Sequence, residues 1–178
     1  SAGNQDPSFI AKDAEQYRIP DAFHHTITES KVISNCMFHL VFKGGFDEMA
    51  KDFLPPSMDT KVLEKVKIKM EEKDFEIYFH QEDVLEFCKD FEFDQSTHCF
   101  FSLSDILSFK KLGYMKKLLL QINHKTLNGT VVVLRAFLRN RMEIGQMNDL
   151  ETEFGSVIDL TEQEQTGMYQ VISLELKK

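Results

Sequence analysis

Short runs of alternating apolar and polar positions dominate the chain from Ser34 onward. Phe38, Leu40 and Phe42 alternate with Met37, His39 and Val41 ahead of Gly44-Gly45, which predicts a strand closed by a turn. Phe46, Met49, Ala50 and Phe53 fall at i, i+3, i+4 and i+7, the stripe of a short amphipathic helix that Pro55-Pro56 ends. Val66, Ile68 and Met70 alternate with Lys65, Lys67 and Lys69, which predicts a half-buried strand with a lysine face. The polar link Glu71-Glu72-Lys73-Asp74 and the returning Phe75, Ile77 and Phe79 complete an expected hairpin. Cys99, Phe101 and Leu103 alternate as a strand, and Ser104-Asp105 caps a short helix from Ile106 to about Lys111.

Further on, Leu118, Leu120 and Ile122 predict a strand and Asn123 to Gly129 a turn. Val131-Val132-Val133-Leu134 with Ala136-Phe137-Leu138 gives the strongest buried-strand signal of the chain. Val157-Ile158-Asp159-Leu160 is a short strand inside the acidic stretch 143–167, and Ile172, Leu174 and Leu176 form a closing strand. Six to eight short strands with two or three short helices predict a mainly β fold, an antiparallel β-sandwich or open barrel. The strand–helix alternation of a parallel sheet is not expected. Residues 1–28 carry no steady period and are read as an N-terminal arm. Residues 29–178 are read as one β-rich globular domain that includes the acidic stretch and the final strand.

The order of elements over about residues 33–140 resembles a C2 domain. Thr97-His98-Cys99-Phe100-Phe101-Ser102-Leu103-Ser104-Asp105-Ile106-Leu107 resembles a C2 strand leading into a short turn. Leu118-Leu119-Leu120 resembles the strand before a hairpin, and Gly129-Thr130-Val131-Val132-Val133 the closing strand. The resemblance implies an eight-stranded antiparallel sandwich. It also makes the lysine strand similar to the polybasic strand that some C2 domains set against acidic lipids. It further directs attention to calcium, for which Asp90 and Asp94 lie in the relevant loop, with Asp52 and Asp59 as partners. Solvated loop acids are the simpler reading of these four.

Composition narrows the field. The 178 residues are 42% hydrophobic and 28% charged, which is the balance of a folded, soluble protein. Sixteen Phe and no Trp supply core material without a hydrogen-bonding demand. A formal charge of −8 repels phosphate backbones, so nucleic acid is a disfavoured partner. Three cysteines outside any C-x-x-C pair fit a reducing, cytoplasmic or nuclear location rather than secretion, and no apolar run is long enough to span a membrane.

The chemistry-bearing groups are scattered. Lys61, Lys65, Lys67, Lys69 and Lys73 cluster, and three of them alternate, so they are the expected binding face for an acidic partner or anionic lipid. A solvated strand face guarded against edge pairing is the plainer alternative. Cys36/His39 and His98/Cys99 point to opposite faces if they lie on strands, so neither pair is pre-aligned for zinc. Arg135, Arg139 and Arg141 form a second basic group suited to a carboxylate or phosphate, or to pairing with nearby acids. No G-x-S-x-G, P-loop or H-E-x-x-H motif occurs. The expectation is a non-catalytic scaffold or adaptor module, without cofactor or metal, that binds a protein partner. Calcium-independent binding to anionic membrane through the lysine strand is one alternative, and a clamp-like, nucleic-acid-associated scaffold is another.

Overall fold

A computed structural model describes residues 24, 36–46, 54–73, 75–94, 96–137, 141–164 and 169–178. Nearly all of the expected N-terminal arm, and of the helix expected over 46–53, lies outside the described residues. The chain divides into two compact units, one containing residues 82–178 and the other 24–81.

The unit of residues 82–178 is built on four strands: β1 (Phe100–Ser104), β2 (Val131–Phe137), β3 (Gly155–Asp159) and β4 (Tyr169–Leu176), in the spatial order β1-β2-β4-β3. β1 runs parallel to β2, with Phe100 opposite Val131 and Ser104 opposite Arg135. β4 runs antiparallel to both of its neighbours, β2 and β3. The mainly β sandwich is therefore not formed. The described residues are 47% helix and 20% strand, and one open, mixed four-stranded sheet replaces two packed antiparallel ones. The eight-stranded body implied by the C2 resemblance is not adopted. The parallel pair also reverses the expectation that strand–helix alternation is absent, because parallel neighbours need a long crossover.

That crossover is α4 (Ile106–Phe109) followed by α5 (Leu112–Lys125); the other described α-helices of this unit are α3 (Val84–Asp90) and α6 (Ile144–Phe154). In the other unit, α1 is Cys36–Phe38 and α2 is Thr60–Glu71. The strand expected around 118–122 is the middle of α5. Leu118 and Ile122 are four residues apart, a spacing that fits both a strand and a helix. Met115 and Leu119 decide for the helix by completing an i, i+3, i+4, i+7 stripe. All four are fully buried, while Leu120, the third residue of the alternating pattern, is 49% exposed.

β2 alternates buried and half-buried positions along its whole length. Val132, Leu134 and Ala136 on β2, with Ile172, Leu174 and Leu176 on β4, form one core with the α5 stripe and with Leu150 and Phe154 of α6. Each large apolar side chain taken fully from water contributes about 1.5–3 kcal/mol. α6 passes into β3 without a loop. Gly155 makes that turn at φ 140, and a Cβ there would sit 2.1 Å from the Glu175 carbonyl oxygen, so only glycine fits.

In the unit of residues 24–81, the strand expected over 37–43 is a helical segment, with α1 continuing as a π-helix from His39 to Lys43. The Phe38 and Phe42 rings meet at 4.9 Å, the neighbour relation of helical i, i+4 side chains. Gly44, at φ 73, ends the segment as a left-handed cap. The lysine strand over 61–70 is α2. Asp59 caps it by accepting a hydrogen bond from the Lys61 amide at 2.9 Å, and its Lys, Glu and Leu content favours helix. Residues 76–80 belong to no helix or strand and 61–70 are helical, so the expected hairpin is not made.

Candidate functional site

Parallel β1 and β2 end on the same side of the sheet, and the segments that leave them frame a cleft of about 360 Å³. From the connection after β1 come Leu107, Lys110, Lys111 and Leu112. From the segment after β2 come Arg141, Met142, Glu143 and Gln146. Open α/β sheets place ligands in this position, outside the carboxyl ends of parallel strands. The volume lies within the range of small-molecule sites.

The walls are fixed by specific bonds. Gln170, buried at the start of β4, donates to the Met142 carbonyl at 2.9 Å and accepts from the Met142 amide at 2.6 Å. This two-point clamp holds the 141–143 segment to the sheet. Glu143 caps α6 with a capping box: its own amide donates to the Gln146 side-chain oxygen at 2.9 Å. Lys116 and Glu153 join α5 to α6 at 2.9 Å.

Lys110 pairs with Asp83 at 3.2 Å and lies 4.7 Å over the Tyr114 ring. The Tyr114 hydroxyl donates to the same Asp83 carboxylate, which also accepts from the Leu85 amide at 2.9 Å as the cap of α3. The Tyr114 bond, then the amide, hold the Asp83 carboxyl below the usual carboxylate range. Burial and the Asp83 bond push the Tyr114 hydroxyl up to about 12. Lys110 thus ties the cleft wall to α3. Lys111 and Arg141 bring positive charge to the cleft from two different connections, with Glu143 as the acid on the rim.

Asp105 follows β1 at the same end of the sheet. It holds a left-handed backbone at φ 61, an uncommon state for a residue other than glycine, and donates its amide to the Arg135 carbonyl at 3.1 Å. Its Oδ1 is buried without a hydrogen-bond partner among the described residues. Arg135 lies 5.8 Å over the Tyr169 ring.

The expected sites fare unevenly. Lys61, Lys65, Lys67 and Lys69 lie on α2, so strict alternation no longer gathers Lys65, Lys67 and Lys69 on one face. At about 100° per residue, Lys61, Lys65 and Lys69 form one stripe, and Lys67 turns away. Lys67 lies 3.8 Å from Glu71. Lys73 sits in the turn beyond, at φ 55. Of the calcium acids, Asp59 caps α2 and Asp94 accepts from the Ser96 amide and hydroxyl at 2.8 and 2.7 Å. Asp90 ends α3, Asp52 lies outside the described residues, and no metal-holding cluster of His, Cys, Asp or Glu occurs among the described residues. Cys36 and His39 share helical rather than strand spacing, with His39 buried. Of the arginine group, Arg141 lines the cleft and Arg139 lies outside the described residues. Sequence reading missed Lys110 and Lys111; their signal was a basic pair just after a strand and short helix, which gains meaning only once β1 is known to be parallel.

No protein-family model, curated protein or solved structure matches this chain. No described helix is long and apolar enough to cross a membrane.

Proposed function

We propose that residues 82–178 form the ligand-binding part of an α/β domain that takes up a small molecule bearing a carboxylate or phosphate. One observation carries the reading: Lys111, from the helix-to-helix link after β1, and Arg141, from the segment after β2, reach a single cleft beyond the carboxyl ends of a parallel pair. Arginine offers a planar fork that matches either anion, and lysine adds a point charge. The Gln170 clamp on Met142 supports the reading because it preorganises the segment that carries Arg141, and a site held in place loses less on binding.

The test is thermal denaturation of the full chain with inorganic phosphate, citrate and adenosine monophosphate, each titrated at fixed ionic strength. A ligand at one hundred times its Kd adds about 2.7 kcal/mol of stability. At least one of these anions is expected to raise the wild-type Tm, with the rise cut at least tenfold in apparent affinity by Arg141→Ala or Lys111→Ala. Equal responses in wild type and both variants would place the anion elsewhere and remove the proposal.

The expected role as a protein-binding module keeps one observation in its favour, the exposed apolar side chains of residues 24–81.

A further inference from the structure

The twelve residues of α2 bury none of their side chains. The helix is nonetheless sided. At about 100° per residue, Val62, Leu63, Val66 and Met70 fall in one sector and Lys61, Lys65 and Lys69 in the sector beside it, while Glu64, Lys67, Glu71 and one apolar residue, Ile68, make up the far side. The apolar sector is open: Val62 is 37% exposed, Leu63 48%, Val66 44% and Met70 54%. The segment that follows adds Ile77, Tyr78 and Phe79, and Phe79 is 93% exposed.

We infer that α2 and the Phe75–Phe79 segment form a docking surface for an anionic lipid bilayer. Three features select a bilayer over a protein groove. The basic stripe borders the apolar sector directly, so lysine stems can lie along the hydrocarbon boundary while their charges reach headgroups. The acids are segregated to the opposite side, so they face water when the apolar sector is buried. Of the neighbouring aromatics, Tyr78 pairs an apolar ring with a polar tip, as side chains at a membrane interface do, and Phe79 is an apolar body of the kind that interfacial segments bury. The helix itself carries four lysines against two glutamates, a local positive surface on a chain of net charge −8. The inference is independent of the cleft: it uses none of the residues that line it.

The experiment is sedimentation of the full chain with vesicles of phosphatidylcholine alone and with two-fifths phosphatidylserine, at low and high salt. Binding is expected with phosphatidylserine, little with phosphatidylcholine alone, and loss at high salt. Each lysine near the surface is worth about fivefold in partitioning, so replacing Lys61, Lys65 and Lys69 together by Glu should cut binding at least a hundredfold. Val66→Ser with Phe79→Ser should weaken it without abolishing the salt dependence. Circular dichroism checks that each variant keeps its helix. Absence of binding to either vesicle overturns the inference, as does binding that the triple lysine replacement leaves intact. So does a chain that self-associates through this face, detected as a dimer that Val66→Glu makes monomeric while vesicle binding stays absent. A face that serves a protein partner would give the no-binding result with both vesicles.

Discussion

α5 and α2 are amphipathic helices of 14 and 12 residues, and they have opposite fates. α5 hides Met115, Leu118, Leu119 and Ile122 completely beneath the sheet, whereas α2 hides nothing. The difference does not come from the sidedness of the helices, since each presents a compact apolar sector. It comes from what the chain supplies to cover them. β2 and β4 offer α5 a row of Val132, Leu134, Ile172 and Leu174, placed on one face by the strand period of two. Among the described residues, nothing buries the apolar sector of α2 to a comparable degree. Periodicity thus fixes which side of a helix is apolar but not whether the apolar side is core or contact surface. The first makes stability, and the second makes affinity for something else.

The largest expected effect breaks the buried side of the comparison. Leu118→Ala removes a side chain with no exposure from the centre of the core and leaves a cavity. The expected loss is about 3 kcal/mol, within the usual span of about 2–5 for such truncations. For a domain of this size that corresponds to roughly 6–12 °C in Tm. Chemical denaturation read by circular dichroism measures it. A loss under about 1 kcal/mol would mean that α5 does not pack on the sheet as described, and the contrast with α2 would vanish.

The contrast also explains what was legible in the sequence. β1, β2 and β4 were readable because each carries a clean alternation whose buried set is confirmed by a partner strand. The short helix after Ser104-Asp105 is legible as well, though it ends at Phe109 and Asp105 makes no side-chain cap bond to it. α5 and α2 were misread as strands for the same physical reason: residues four apart satisfy both periods, and Leu118/Ile122 and Val66/Met70 are such pairs. Length could have arbitrated, because neither segment has a glycine or proline break of the kind that bounds a strand of five residues, apart from Gly113 near the start of α5. Sheet direction was not legible at all. Whether β1 and β2 run parallel depends on α4 and α5 as a crossover, so the misreading of α5 concealed the carboxyl-end cleft. Arg141 is legible in the sequence only as one of three arginines, with Arg135 and Arg139, that suit a carboxylate or phosphate or pair with nearby acids. Lys111 is not, because only the parallel pair brings the two together.

A smaller effect probes the edge of the buried unit, where α3 meets α5. Asp83 has its carboxyl held down, first by the Tyr114 hydroxyl, and Tyr114 is pushed up to about 12 by burial and by Asp83. The signs follow from linkage. The depressed Asp83 stabilises the fold above its unfolded pKa near 3.9, and that contribution is lost as pH falls through its lower folded value. The raised Tyr114 leaves the fold intact below about 10, and stability falls as pH rises from there toward 12. Tyr114→Phe is expected to remove the alkaline step and to shrink the acid one. Tyrosinate absorbance, taken as the difference between wild type and variant, isolates this residue from Tyr169, whose hydroxyl burial also raises. A Tyr114 that titrates at an ordinary value would show that the α3–α5 contact opens in solution.

The smallest effect is the most informative about α2. Val66→Ser exchanges an apolar for a polar side chain in the middle of the helix, yet serine and valine have similar helix propensities, so the backbone term nearly cancels. With 44% of Val66 already exposed, little burial is lost, and the expected change in stability is within about 0.5 kcal/mol. The same chain should lose affinity for anionic vesicles, so one substitution separates the two roles an apolar side chain can play. A destabilisation above about 1.5 kcal/mol would mean that this sector is covered in the isolated protein. α2 would then be a second core helix, and the distinction between the two helices would be one of degree.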